Sequence, residues 1–104
     1  MSLRYAVEKL HIATSMLATG QGAITERLWE VWRDSGLLMV DKGDVPQEFS
    51  EDLQQVQEGL KHLQSGALTT TEACSDLARR IFALYDDICR VDAQKGMSDL
   101  YQEP

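Results

Sequence analysis

A chain of 104 residues with 43% hydrophobic and 26% charged side chains is one ordinary globular domain, long enough to bury about two thirds of the surface its unfolded form exposes. The formal net charge is −7, and Arg79-Arg80 is the only adjacent Lys/Arg pair. That distribution excludes the positive footprint that tracks nucleic-acid phosphates, so no nucleic-acid partner is expected.

The first helix begins after Ser2, an N-cap residue, and runs to Thr19, with Gly20 as its stop. Leu3, Val7, Leu10, Thr14 and Leu17 form one face, and Tyr5, Ile12 and Met16 lie far around the cylinder from it. Two apolar faces need two neighbours, either two helices of the same chain or one such helix and a partner chain. After the Gln21-Gly22 break, the second helix spans Ala23 to Ser35 and ends at Gly36. Ile24, Leu28, Val31, Trp32 and Ser35 share its inner face, with Trp29 at the margin beside Trp32. So short a break makes the first two helices a hairpin.

Leu37-Leu38-Met39-Val40 is too short to classify by period: it is either a helix extension or an extended crossing that plugs one end of the fold. The loop Asp41 to Pro46 follows, in which Asp44 and Gln47 have the spacing of a capping box for a third helix over Val45 to Gln64. Phe49, Leu53, Val56, Leu60 and Leu63 make a narrow seam on that helix, and Gly59 at its flank permits a close helix crossing. Gly66 is the stop, Leu68 a staple residue, and Thr69 with Glu72 a capping box for the fourth helix.

The fourth helix, Thr70 to about Ala93, organises the rest. Cys74, Leu77, Ile81, Leu84, Ile88 and Val91 recur at steps of three and four, and a second row of Ala78, Phe82, Tyr85 and Cys89 widens the apolar sector to about half the circumference. The remaining wedge pairs with itself, Asp76 with Arg80 and Asp86 with Arg90, in the favourable acid-first order four residues apart. Gly96 is a stop signal, leaving residues 1–96 as the domain and 97–104 as a loosely held tail.

Cys74 and Cys89 are fifteen residues apart on one helix, about 22 Å, too far for a disulfide. Two reduced thiols fit a cytoplasmic setting. The start Met1-Ser2-Leu3-Arg4-Tyr5 lacks a leader pattern, and no apolar run approaches the roughly 20 residues of a membrane span, so no membrane partner is expected.

Three chemistries have residues of the right type. His11, His62, Cys74 and Cys89 are zinc-type ligands, but none of them forms a C-x-x-C or H-x-x-x-H pair, and no metal or other cofactor is expected. Glu26 with Glu30 and Asp86 with Asp87 invite comparison with all-helical nucleotide pyrophosphatases, which hold Mg²⁺ with carboxylates on facing helices. Here these acids lie on polar wedges, and the double acidic cluster of those enzymes is absent. The segment His62-Leu63-Gln64-Ser65-Gly66-Ala67 loosely resembles the surroundings of the phosphorylated histidine in histidine-containing phosphotransfer domains, which are four-helix bundles. Ser65 stands where that family has a lysine, and Gly66 ends the helix that should continue.

The run from Leu10 through Thr14, Leu17 and Gly20-Gln21-Gly22 to Ile24, followed by Arg27-Leu28, resembles the opening of small uncharacterised bacterial helical proteins. That resemblance implies a helical hairpin and a bacterial origin, and it assigns no activity. The expected architecture is all-α, an antiparallel four-helix bundle. The expected role is a non-catalytic helical interaction or regulatory module, with Tyr5, Ile12, Met16 and Trp29 as the contact surface for a protein partner or a second copy in a homodimer. The competing class is a helical phosphohydrolase or a histidine phosphotransfer module.

Overall fold

The computed structural model describes residues 3–68 and 70–101, the last eight of these by backbone alone. Among the described residues the chain forms four α-helices and no strand: Leu3–Thr19 (α1), Ile24–Asp34 (α2), Gln47–Ser65 (α3) and Thr71–Tyr101 (α4), with two 3₁₀ turns, Leu37–Met39 and Lys42–Asp44, between α2 and α3. α4 packs against each of the other three helices.

The periodicity explains that central place. Cys74, Leu77, Ile81, Leu84 and Ile88 are all buried and form one core with Leu10, Ala13 and Leu17 of α1, Leu28 and Val31 of α2, and Leu53, Val56, Leu60 and Leu63 of α3. Removing each large aliphatic side chain from water contributes roughly 1.5–3 kcal/mol, far more than any surface ion pair of the fold. The second row of α4 is less buried than its spacing predicts. Ala78 is covered, Tyr85 and Cys89 are half-buried, and Phe82 is 42% exposed. A helical wheel gives the angle of a side chain but not whether a neighbour reaches it. On the polar wedge both expected pairs form, Arg80 Nε with Asp76 Oδ2 at 3.2 Å and Arg90 Nη2 with Asp86 Oδ2 at 2.8 Å.

The α1–α2 connection is held by a side chain that periodicity does not single out. Arg27 reaches back from α2, its Nε donating to the Gly22 carbonyl at 3.1 Å and its Nη1 to the Leu17 carbonyl at 3.3 Å. The second of these satisfies one of the carbonyls that a helix C-terminus leaves without an intrahelical partner. Tyr5 and Met16, on the second face of α1, pack against the core.

Leu37 to Val40 is neither of the two expected forms. It is a 3₁₀ turn with Leu37 and Val40 inward and Met39 74% exposed, and the Gln57 side-chain amide of α3 clamps it by donating to the carbonyls of Leu37 at 3.0 Å and Val40 at 2.8 Å. The capping box lies one turn earlier than expected. The Asp41 backbone N–H donates to Asp44 Oδ2 at 3.0 Å and the Gly43 N–H to Asp41 Oδ2 at 3.3 Å, capping the turn Lys42–Asp44. Asp41/Asp44 and Asp44/Gln47 share the same spacing, and the Asp44 carboxylate serves the first. α3 therefore begins at Gln47, behind Pro46, with no side-chain cap.

Gly66 ends α3 in the left-handed region (φ 85°), and the N–H groups of Ala67 and Leu68 both donate to the His62 carbonyl. Thr70 Oγ1 accepts from the Ala73 N–H at 3.1 Å and so caps α4; the cap expected at Thr69, like that at Ser2, falls outside the described residues. At its far end α4 runs on past Ala93 and through Gly96 to Tyr101. A lone glycine costs a helix about 1 kcal/mol relative to alanine, which does not stop it by itself.

Candidate functional site

The four residues of the expected contact surface occupy different environments. Tyr5 lies against the core, with the Lys9 ammonium 5.3 Å from its ring centroid, and Met16 also packs inward. Ile12 is half-buried on α1. Trp29 is 39% exposed and stands edge-on to Trp32, ring centroids 5.4 Å apart at 83°.

The residues of zinc-ligand type are not gathered. Cys74 is buried and accepts from the Thr25 hydroxyl at 3.6 Å, while His62 is exposed on the last turns of α3. His11 and Cys89 belong to a cluster on the seam between α1 and α4. His11 Nδ1 is 3.0 Å from the Tyr85 hydroxyl, with the rings 5.9 Å apart, and Cys89 follows Tyr85 one helical turn on. When the Tyr85 O–H donates to sulfur, its oxygen is left to accept from the Nδ1–H tautomer of His11. The one forward signal for this cluster was the second row of α4, which placed Tyr85 and Cys89 together; nothing in it pointed to His11.

That arrangement raises the Tyr85 pKa above the ordinary value, chiefly through the hydrogen bond to Cys89, then through burial, then through the charge of the Cys89 thiolate. The folded chain thus keeps a proton that the unfolded chain loses near pH 10. The stabilisation linked to it is complete below pH 10 and disappears as pH rises through the Tyr85 pKa. In an ultraviolet titration of tyrosinate, Cys89→Ala is expected to move one tyrosine transition to lower pH, and an unchanged curve would remove Cys89 as the cause.

The carboxylates considered for Mg²⁺ are likewise apart. Glu26 is exposed in the first turn of α2, Glu30 is half-buried on the same helix, Asp86 is held by Arg90, and Asp87 lies in the groove between α3 and α4. Among the described residues no group of three or more His, Cys, Asp or Glu side chains is placed to hold a metal ion. The α3–α4 groove, about 330 Å³, is lined by Asp52, Gln55, Arg80, Ala83 and Asp87 over a floor of Val56 and Leu84. Its one cation is already engaged, since Arg80 also donates from Nη1 to Gln55 Oε1 at 3.0 Å.

The described residues define a class, a small all-α protein. No helix among the described residues is long and apolar enough to cross a membrane. Comparisons with protein-family models, with curated proteins and with solved structures give no match to this chain.

Proposed function

We propose that this chain is a bacterial, cytoplasmic helical interaction module, an antiparallel four-helix bundle that presents helix surfaces to a protein partner or to a second copy and performs no catalysis itself. The observation that carries this reading is Trp29, a large aromatic side chain left 39% exposed while the core behind it is closed. Its edge-on contact with Trp32 restrains it, so little rotamer freedom remains to be lost when a partner covers it. Tryptophans so placed are the side chains on which binding energy concentrates. Ile12, half-buried on α1, is the second residue assigned to this function.

The test is quantitative capture of host protein on the immobilised chain, with helicity checked by circular dichroism. Trp29→Ala and Ile12→Asp are expected to keep the wild-type spectrum and to weaken capture at least about tenfold, the scale of a hot-spot truncation. Equal capture by wild type and both variants would contradict the reading.

A further inference from the structure

The outward side of α4 carries a charge pattern that reads backwards with its signs reversed. Counting from Ala83, Asp76 stands seven residues before and Arg90 seven after; Arg79 stands four before and Asp87 four after; Arg80 stands three before and Asp86 three after. At about 100° per residue, Ala83 is about 200° around the helix from Ile81, opposite the buried seam, and it is exposed. These charges therefore flank one solvent-facing line with a small residue at its centre.

Pairing within the helix accounts for four of the six. Asp76 holds Arg80 and Asp86 holds Arg90. Arg79 and Asp87 are left with no ion pair or hydrogen bond among the described residues, and they are opposite in sign and equally far from Ala83. Resting on the reading of this chain as an interaction module, we propose that α4 pairs with α4 of a second copy, antiparallel across a two-fold axis at Ala83, so that Arg79 of each copy meets Asp87 of the other.

The occupant follows from the pattern. A two-fold interface sets every residue against the one equally far on the other side of the axis, and a helix face serves both sides only if its charges are antisymmetric about that point. An unrelated partner imposes no such condition. The match extends beyond the unpaired residues, because Asp76 also stands level with Arg90 of the other copy and Arg80 with Asp86, with no like charges at one level. Ala83 allows the two backbones a close approach, and Phe82, 42% exposed, adds apolar area at the rim on either side of the axis. On the α3 side, Asp52 lines the same groove as Asp87, so an arriving Arg79 meets two carboxylates. The contact stretch from Asp76 to Arg90 is about 21 Å long, a usual span for a helix pair.

An interface made of exposed charge is weak and sensitive to salt. Sedimentation equilibrium of the full chain is expected to show dimer at about 10 mM ionic strength and monomer at about 1 M, as the screening length falls from about 30 Å to about 3 Å. Arg79→Asp and Asp87→Arg should each raise the dimer Kd at least about tenfold at low salt, with helicity unchanged because neither position belongs to the core. An equimolar mixture of the two variants should associate as the wild type does, since the mixed pair sets Asp against Arg at both sites. The proposal is overturned by a monomeric wild type at low salt, by variants that dimerise unchanged, or by a mixture no tighter than its components. Trp29 and Ile12 lie on other helices, so their capture assay tests the broader reading separately.

Discussion

Replacing Ile81 with alanine lowers the stability of the folded chain by about 3 kcal/mol, within the range for large-to-small changes in a closed core. Ile81 is 0% exposed and sits midway along the α4 seam, in the core built by all four helices. The loss combines the transfer free energy of the deleted carbons with the cavity left behind, which several helices cannot all collapse to fill. Urea denaturation should show the change as a lower midpoint at constant slope. The neighbouring substitution Phe82→Ala provides the contrast, because that side chain stands 42% in solvent, and the expected loss is below about 1 kcal/mol. Equal losses at the two positions would mean that α4 is rotated from the orientation described.

Gly59→Leu destabilises by about 2 kcal/mol, through crowding rather than cavity formation. A Cβ built at Gly59 stands 2.7 Å from Leu77 Cδ1 and 3.2 Å from Cδ2, so the buried Leu77 side chain must shift to admit it. The crossing of α3 over α4 is therefore set by the absence of a side chain at this position. Two terms oppose each other for the smaller change Gly59→Ala, a gain of about 1 kcal/mol in helix propensity and the clash with Leu77. Once Leu77→Ala has removed the opposing methyl groups, the same Gly59→Ala change should become stabilising by about 1 kcal/mol. A double-mutant cycle by urea denaturation reads that change of sign, and additive effects would show that the two residues do not touch.

Much of this fold was legible because its helices are amphipathic in the simplest way. The narrow row on α3 and the first row on α4 name their own core residues, and Gly59 was marked as a crossing point by its place beside the α3 seam. Acid-first pairs four apart, such as Asp86 with Arg90, form as their spacing predicts. What stayed hidden depended on competition or on distance along the chain. Asp44 could cap in either direction, and only the surrounding turn decides. Gly96 carries a stop signal that one helix position can override. Arg27 and Gln57 hold neighbouring segments through single side-chain hydrogen bonds to backbone carbonyls, which leave no periodic trace. The fate of apolar residues on a second helix face was the least legible part, because such a residue looks the same in sequence whether a neighbouring helix covers it or solvent does. Tyr5 and Met16 turn inward, whereas Trp29, three residues before Trp32, does not.

α4 is the helix around which the other three close. Native-state hydrogen exchange, resolved by residue, tests this most directly. The amides from Leu77 to Ile88 should exchange only through complete unfolding, with the free energy found by urea denaturation. Exchange of those amides through local opening, at a free energy well below that of the amides of Leu10 or Leu53, would contradict it.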